Sequence, residues 1–290
     1  MSQSTLSKKL AKIKPGTLFV GVDLALDHNV AVVLNERAEQ LARFGFPHER
    51  QGYDYFYRRL ATVGKHQQAA AILVGMEPSN YFWKLLAADL EAHQMSYRLV
   101  NPYTVKKSRE GDRLDRSKDD NRDAFTIGDL LRTGKFTETR LLHGQYAELR
   151  QYVTLHERLG RDLRRHKTLI RNIAGQLFPE LGRVFKDITG QTVLAMLRHH
   201  AVAGLIHEMS LDEFIVEVRA DFSGKRLQIA KLRHAHRLAA ISVGLKDGVQ
   251  ALQLALRLHI EALEALQRQL AQVRCALVDT LLALPEARYL

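Results

Sequence analysis

Apolar residues change their spacing part-way along this chain, near Gly144. Upstream, short β-branched runs alternate with helical patterns. Downstream, almost every segment repeats at the helical period. Residues 17–25, 29–35 and 41–46 read as three strands with short connections, an antiparallel meander. "ERQGYDYFYRRLATV" is helical. Residues 69–77 form a continuous apolar run, the pattern of a strand buried on both faces. "SNYFWKLLAADLEAHQ" is helical, with Ser79 as a candidate N-cap, and residues 97–102 form a strand ended by proline. Strand–helix–strand at this spacing is a βαβ unit, so the fourth and fifth strands are expected to be parallel. "NRDAFTIGDLLRTG" is a short helix closed by Gly134.

In the second half, Leu149, Val153, Leu159, Leu163, Ile170, Ile173 and Leu177 keep the helical period until Pro179 ends it. "SLDE" at 210–213 is a capping-box pattern that opens a shorter helix. The clearest element is a last helix over 247–284. Val249, Leu256, Leu263, Leu270, Leu277 and Leu284 recur every seven residues, with Leu252, Leu266 and Val273 in companion positions. At ~1.5 Å per residue it is roughly 55 Å long. A seam of that length needs a partner helix, either 149–177 of the same chain or a second subunit. The expected organisation is a basic flexible arm (1–14), an α/β domain (15–143) and an all-α coiled-coil region (144–290).

Composition narrows the function. The 290 residues carry 43 Lys and Arg against 32 Asp and Glu, a formal net charge of +11. That balance suits a protein that works on a polyanion, most simply nucleic acid. Cys275 is the sole cysteine, which excludes an intramolecular disulfide and a cysteine zinc site and fits a reducing cytoplasm. The N-terminus has lysines but no apolar core of a signal peptide. No run approaches the roughly 18 apolar residues of a membrane span.

Four carboxylates stand at informative places. Asp23 ends the first strand and Glu77 ends the central one. Asp120 and Asp123 lie three apart at the start of the later helix, on one face. Carboxylates that converge repel one another, and one or two divalent cations neutralise them. Oxygen-only ligation suits Mg2+ or Mn2+, and such ions can activate a nucleophile and stabilise a leaving oxygen at a phosphodiester. Taken singly, each residue has a plainer role. Asp23 and Glu77 suit strand ends, and Asp120 and Asp123 suit helix-dipole acids. Lys106, Lys107, Arg109, Arg113, Arg116 and Lys118 fall in an expected flexible loop beside these acids. Arg158, Arg161, Arg164, Arg165, Lys167 and Arg171 cover one helix. Both groups are candidates for phosphate contact. The aromatics of "YDYFYRR" read mainly as helix-to-sheet packing, and the histidines of "RHH" (198–200) and "RHAHR" (233–237) as surface or interface residues.

The order βββ–α–β–α–β, with carboxylates on the first strand, the fourth strand and a later helix, is the layout of an RNase H-like nuclease. "FVGVDLALDHNVAVVLN", "GMEPSNYFWKLLAADLEAHQMSYRLVNP" and "KDDNRDAFTIGDLL" resemble the DEDD transposases of bacterial insertion sequences, the IS-one-ten family or bridge recombinases, related to Piv-type invertases. The resemblance carries the family's Asp, its Glu in a "MExxxxYW"-like segment and its Lys-Thr-Asp-x-x-Asp-Ala box onto Asp23, Glu77, Asp120 and Asp123. Asp119 stands where the family has threonine. The resemblance implies a RuvC-like domain, a coiled coil and a C-terminal domain that supplies a serine nucleophile. It also implies DNA and a structured non-coding bridge RNA as partners, with oligomerisation as a dimer or tetramer in the bacterial cytoplasm, at the nucleoid. No serine here matches the nucleophile motif. The expectation is the front portion of a longer transposase, or a shortened relative. Two other readings stay open: a non-catalytic RNA-binding and dimerisation module, and an actin-like or sugar-kinase-like ATPase. The ATPase reading lacks the second glycine-rich Asp loop.

Overall fold

The computed structural model describes residues 3–111 and 120–289, with side chains over 7–108 and 122–287. The chain divides into two compact units, Met1–Leu141 and Leu142–Leu290.

The first unit opens with α1 (Gln3–Leu10), followed by β1 (Thr17–Asp23), β2 (Asn29–Leu34) and β3 (Gln40–Phe46). Then come α2 (Arg50–His66), β4 (Ala71–Met76), α3 (Phe82–Ala92), β5 (Ser96–Leu99), α4 (Pro102–Gly111) and α5 (Asp120–Arg132). The sheet order is β3-β2-β1-β4-β5. β1–β2 and β2–β3 are antiparallel, while β1–β4 and β4–β5 are parallel. The expected meander and βαβ unit are both present. Successive residues of a strand face opposite sides, so the sheet has two cores. Val20, Val22, Val74 and Met76 pack under α2 and α3, against Phe56, Leu60, Leu86 and Leu90. Phe19, Val32, Leu34 and Leu73 pack under α5, against Ala124, Ile127 and Leu131.

Two segments differ from expectation. The basic arm is helical over α1 and tied back: the Lys9 ammonium donates to the Phe136 carbonyl, Lys12 pairs with Glu138 at 3.2 Å, and Ile13 packs on the α5-side core. Apolar packing does most of this work, because Lys12 is largely exposed and such a pair contributes little. The segment after β5 begins as helix α4, not loop. Asn101 Oδ1 accepts the Tyr103 N–H at 2.8 Å, and Pro102 takes the first helical position, where its missing N–H costs nothing. The same proline that reads as a strand stop is therefore a helix start.

The second unit consists of α6 (Gly144–Leu177), α7 (Leu181–Val184), α8 (Gln191–His199), α9 (Ala203–Glu208), α10 (Leu211–Ala220), α11 (Ile229–Ala239) and α12 (Val249–Leu282), with a 3-10 turn at Pro285–Tyr289. α6 and α12 each have 34 residues, about 51 Å at 1.5 Å per residue. They run antiparallel against each other. Tyr146, at the start of α6, hydrogen-bonds Glu286 beyond α12, while Ile170, Ile173 and Leu177 at its other end share a core with Leu256, Ile260 and Leu263. The heptad seam thus finds its partner within the chain. The five short helices gather over that same end, burying Phe178, Met196, Ile206, Phe214 and Leu232. Ser210 and Glu213 form the reciprocal capping box at the start of α10.

One close approach fixes α5. A Cβ on Gly21 would lie 1.9 Å from the Ala124 carbonyl oxygen and 2.4 Å from the Gly128 nitrogen, both backbone. A Cβ on Gly128 would meet the Leu34 Cδ1 at 3.0 Å, and a side-chain end can shift. Gly21→Ala is expected to cost at least about 3 kcal/mol, and Gly128→Ala less, at about 1–2 kcal/mol. Urea denaturation midpoints for the two variants check the order. Equal midpoints would mean that α5 can lift off the sheet freely.

Candidate active site

The register of the sheet brings two of the predicted carboxylates level. Val22 is paired with Met76 across the parallel β1–β4 ladder, so the next residues along, Asp23 and Glu77, stand side by side at the strand ends. Gly21 and Gly75, two residues before each, both face α5. By the two-residue alternation of a strand, Asp23 and Glu77 face α5 as well.

α5 arrives from the opposite direction. Its last residue, Arg132, reaches the Glu36 carbonyl at 3.1 Å, and the Glu36 carboxylate accepts the Gly16 N–H at 2.6 Å. Both hydrogen bonds lie at the N-terminal end of β1. The first turn of α5 therefore lies toward the C-terminal ends of β1 and β4, the end that carries Asp23 and Glu77. Asp123 sits in that turn and is buried at 8% exposure, while Asp23 and Glu77 are half-buried. Asp120 opens the helix; its side chain, and the whole of Asp119, lie outside the described residues. Among the described residues, no group of three His, Cys, Asp or Glu side chains forms a cluster able to hold a metal ion. The donor type does fit one: Asp23, Glu77 and Asp123 are hard oxygen ligands of the kind that Mg2+ and Mn2+ take.

Asn80 is a positioning residue that sequence patterning misassigned. The expected cap of α3, Ser79, is exposed and caps nothing; Tyr81 takes the N-cap place without a side-chain bond. Asn80 instead accepts the Phe82 N–H at 2.8 Å and donates to the Leu24 carbonyl at 3.1 Å. It thereby ties the turn after Asp23 to the turn after Glu77. The local signal was present, since Asn favours such turns, but its partner is 56 residues away.

The family model for DEDD-type IS110 transposases matches residues 20–179, more than half of the chain, and includes the positions of Asp23, Glu77, Asp120 and Asp123. The chain belongs to the IS110 DEDD transposase family. A curated relative, "Mini-circle putative transposase for IS117" of Streptomyces coelicolor, is 27% identical over 146 residues. Those residues are 50% of this chain and 34% of the relative, so the match spans about a third of the relative's length.

In this IS110-family chain the predicted cations are unevenly placed. Lys106 and Lys107 are exposed on α4, in the same unit as the carboxylates. The Arg109 side chain, Arg113, Arg116 and Lys118 lie outside the described residues. On α6, Arg158, Arg161, Arg164, Arg165 and Arg171 are exposed, and Lys167 is half-buried. Arg171 lies 3.6 Å from Asp187. The "YDYFYRR" aromatics mostly pack as expected: Tyr53 and Phe56 are core, and Tyr57 donates to Asp89 at 2.6 Å. Tyr103, at 71% exposure, packs on nothing comparable. No helix among the described residues is long and apolar enough to cross a membrane.

The histidines divide. His199 is half-exposed and 2.7 Å from Asp221, while His200, expected at the surface or an interface, is buried 3.0 Å from Glu217 and edge-on to Phe214. Burial holds the His200 imidazole below its ordinary pKa near 6.5, against the pull of Glu217.

Two outcomes are expected. Asn80→Ala should destabilise by about 1–2 kcal/mol, the scale of losing two hydrogen bonds with partners left behind. Ser79→Ala should stay within about 0.5 kcal/mol, and chemical denaturation separates them. A His whose folded pKa is depressed stabilises the fold fully above its unfolded value and ceases to as pH falls through the folded one. The thermal midpoint should therefore drop as pH is lowered below about 6.5, and His200→Asn should flatten that drop. An unchanged pH profile in the variant would assign the acid sensitivity to other groups.

Proposed function

We propose that this chain provides the metal-dependent carboxylate site of a DNA transposase, on an RNase H-like (RuvC-like) domain. The observation that carries the reading is the level pairing of Asp23 and Glu77 at adjacent parallel strand ends, on the face where buried Asp123 also lies. Membership of the IS110 DEDD family supports it.

On this reading Asp23, Glu77, Asp120 and Asp123 hold Mg2+ or Mn2+, and a bound ion supplies charge neutralisation at a phosphodiester. The chain's own groups do the rest. Adjacent strand ends fix two carboxylates with little freedom, so the site is preorganised. Asn80 holds the two turns that follow them in register. Lys106 and Lys107, with Arg109, Arg113, Arg116 and Lys118, steer the DNA backbone to the site. The cations of α6 bind nucleic acid, DNA or a structured guide RNA, through its phosphates. Because the α6–α12 seam is filled within the chain, copies of the protein associate through the outer face of that pair, where Leu155, Leu254 and Leu258 are exposed.

Mn2+ binding followed by electron paramagnetic resonance, together with metal-dependent processing of plasmid DNA carrying the element's ends, tests the site. Asp23→Ala and Glu77→Ala should each abolish tight Mn2+ binding and reduce DNA processing by at least about 100-fold, the scale of losing a charge-stabilising group. Nucleic-acid affinity should stay within about twofold. Full activity in either variant would sink the catalytic reading and leave a binding and assembly module.

A further inference from the structure

We infer that the outer face of α11, with the turn before it, is a second binding surface for a nucleic-acid phosphate backbone. This rests on the reading that the protein works on nucleic acid, but on residues separate from those assigned to it above. From Phe222 to Lys246 the sequence contains Lys225, Arg226, Lys231, Arg233, Arg237 and Lys246 and no Asp or Glu. A basic helix face is ordinarily explained by ion pairs along the helix. Here there is no acid on the helix to pair with.

The structure sorts these residues by face. α11 buries Leu232, Ala235 and Ala239, all at or below 5% exposure. At 100° per residue, Arg233 and Arg237 lie one turn apart on the opposite side, with His234 beside them, and all three are exposed. Lys225 and Arg226, in the turn between α10 and α11, are also exposed. Among the described residues, none of Lys225, Arg226, Arg233 and Arg237 is in an ion pair. The motif "RHAHR" is thus two things. Arg233, His234 and Arg237 face outward, while His236 turns inward to hydrogen-bond the Met209 carbonyl at 2.9 Å.

The helix is also held firmly from behind. Besides His236, Lys231 lies over the Phe185 ring at 5.5 Å, and the Gln228 N–H donates to Thr192 Oγ1 at 3.3 Å. The segment after it is pinned by Glu180, whose carboxylate accepts from Ser242 Oγ at 2.6 Å and from the Val243 N–H at 3.1 Å. Four exposed cations without an ion pair, two of them on the anchored helix and two in the turn before it, carry a standing repulsion that a row of phosphates relieves, with release of counterions. Arg also suits phosphate because its fork binds two oxygens at once.

The test uses the full chain, a DNA duplex and an RNA hairpin, with binding followed by fluorescence anisotropy at several salt concentrations. The variant replaces Lys225, Arg226, Arg233 and Arg237 with Gln. Affinity for at least one of the two probes is expected to fall by tenfold or more. The log–log salt dependence is expected to flatten by about 2 or more, at about 0.9 for each phosphate no longer neutralised. The probe that responds identifies DNA or RNA as the ligand. A second variant, Lys at positions 233 and 237, should keep most of the affinity and so separates lost charge from a disturbed fold. If the wild-type chain binds either probe and the Gln variant binds both equally well with an unchanged slope, this surface is not a binding site and the transposase reading stands. If the wild-type chain binds neither probe, both fail.

Discussion

The first unit depends on the close approach of the β1 and α5 backbones. Gly21 and Gly128 remove the two side chains that would hold the elements apart, so the helix rests on the strand at backbone distance. From that approach the rest follows. Phe19, Leu34 and Leu73 can close over Ala124, Ile127 and Leu131 in one buried cluster. Arg132 can span to the Glu36 carbonyl. The first turn of the helix is carried to the strand ends, and Asp123 is buried there.

The distribution of charge follows the same division of labour. Asp23 and Glu77 stand at the ends of adjacent interior strands and Asp123 in the first turn of α5, all on well-packed elements. Cations are spread over exposed helix faces, on α4, α6 and α11, where water screens their mutual repulsion. On the proposed reading, one kind of charge would serve phosphodiester chemistry and the other would hold the polymer on which it acts.

Much of the fold was legible because its signals are local. β-branched runs mark β1, β2 and β4, the heptad marks α12, and "SLDE" caps α10 as written. The candidate site was legible in part. Asp23, Glu77 and Asp123 stand out by position, but the level placement of Asp23 and Glu77 requires the β1–β4 register, and the end of the sheet that Asp123 reaches requires the direction of α5, neither of which a single segment encodes. The misreadings share one cause. Pro102 is permitted both after a strand and at the first turn of a helix, Asn80 bonds to a residue far along the chain, and His200 is buried by side chains from a different helix.

The sequence by itself determined the strands and helices, the change from α/β to all-α near Gly144, the excess of positive charge and the identity of the carboxylates. Those properties rest on periodicity and composition, which act within a few residues of the chain. Tertiary structure alone decided which helix completes the α12 seam, which cations of "RHAHR" face outward, and that two strand-end carboxylates stand level. Each of these depends on which surfaces meet, and burial and close packing, unlike periodicity, are settled only when distant segments are brought together.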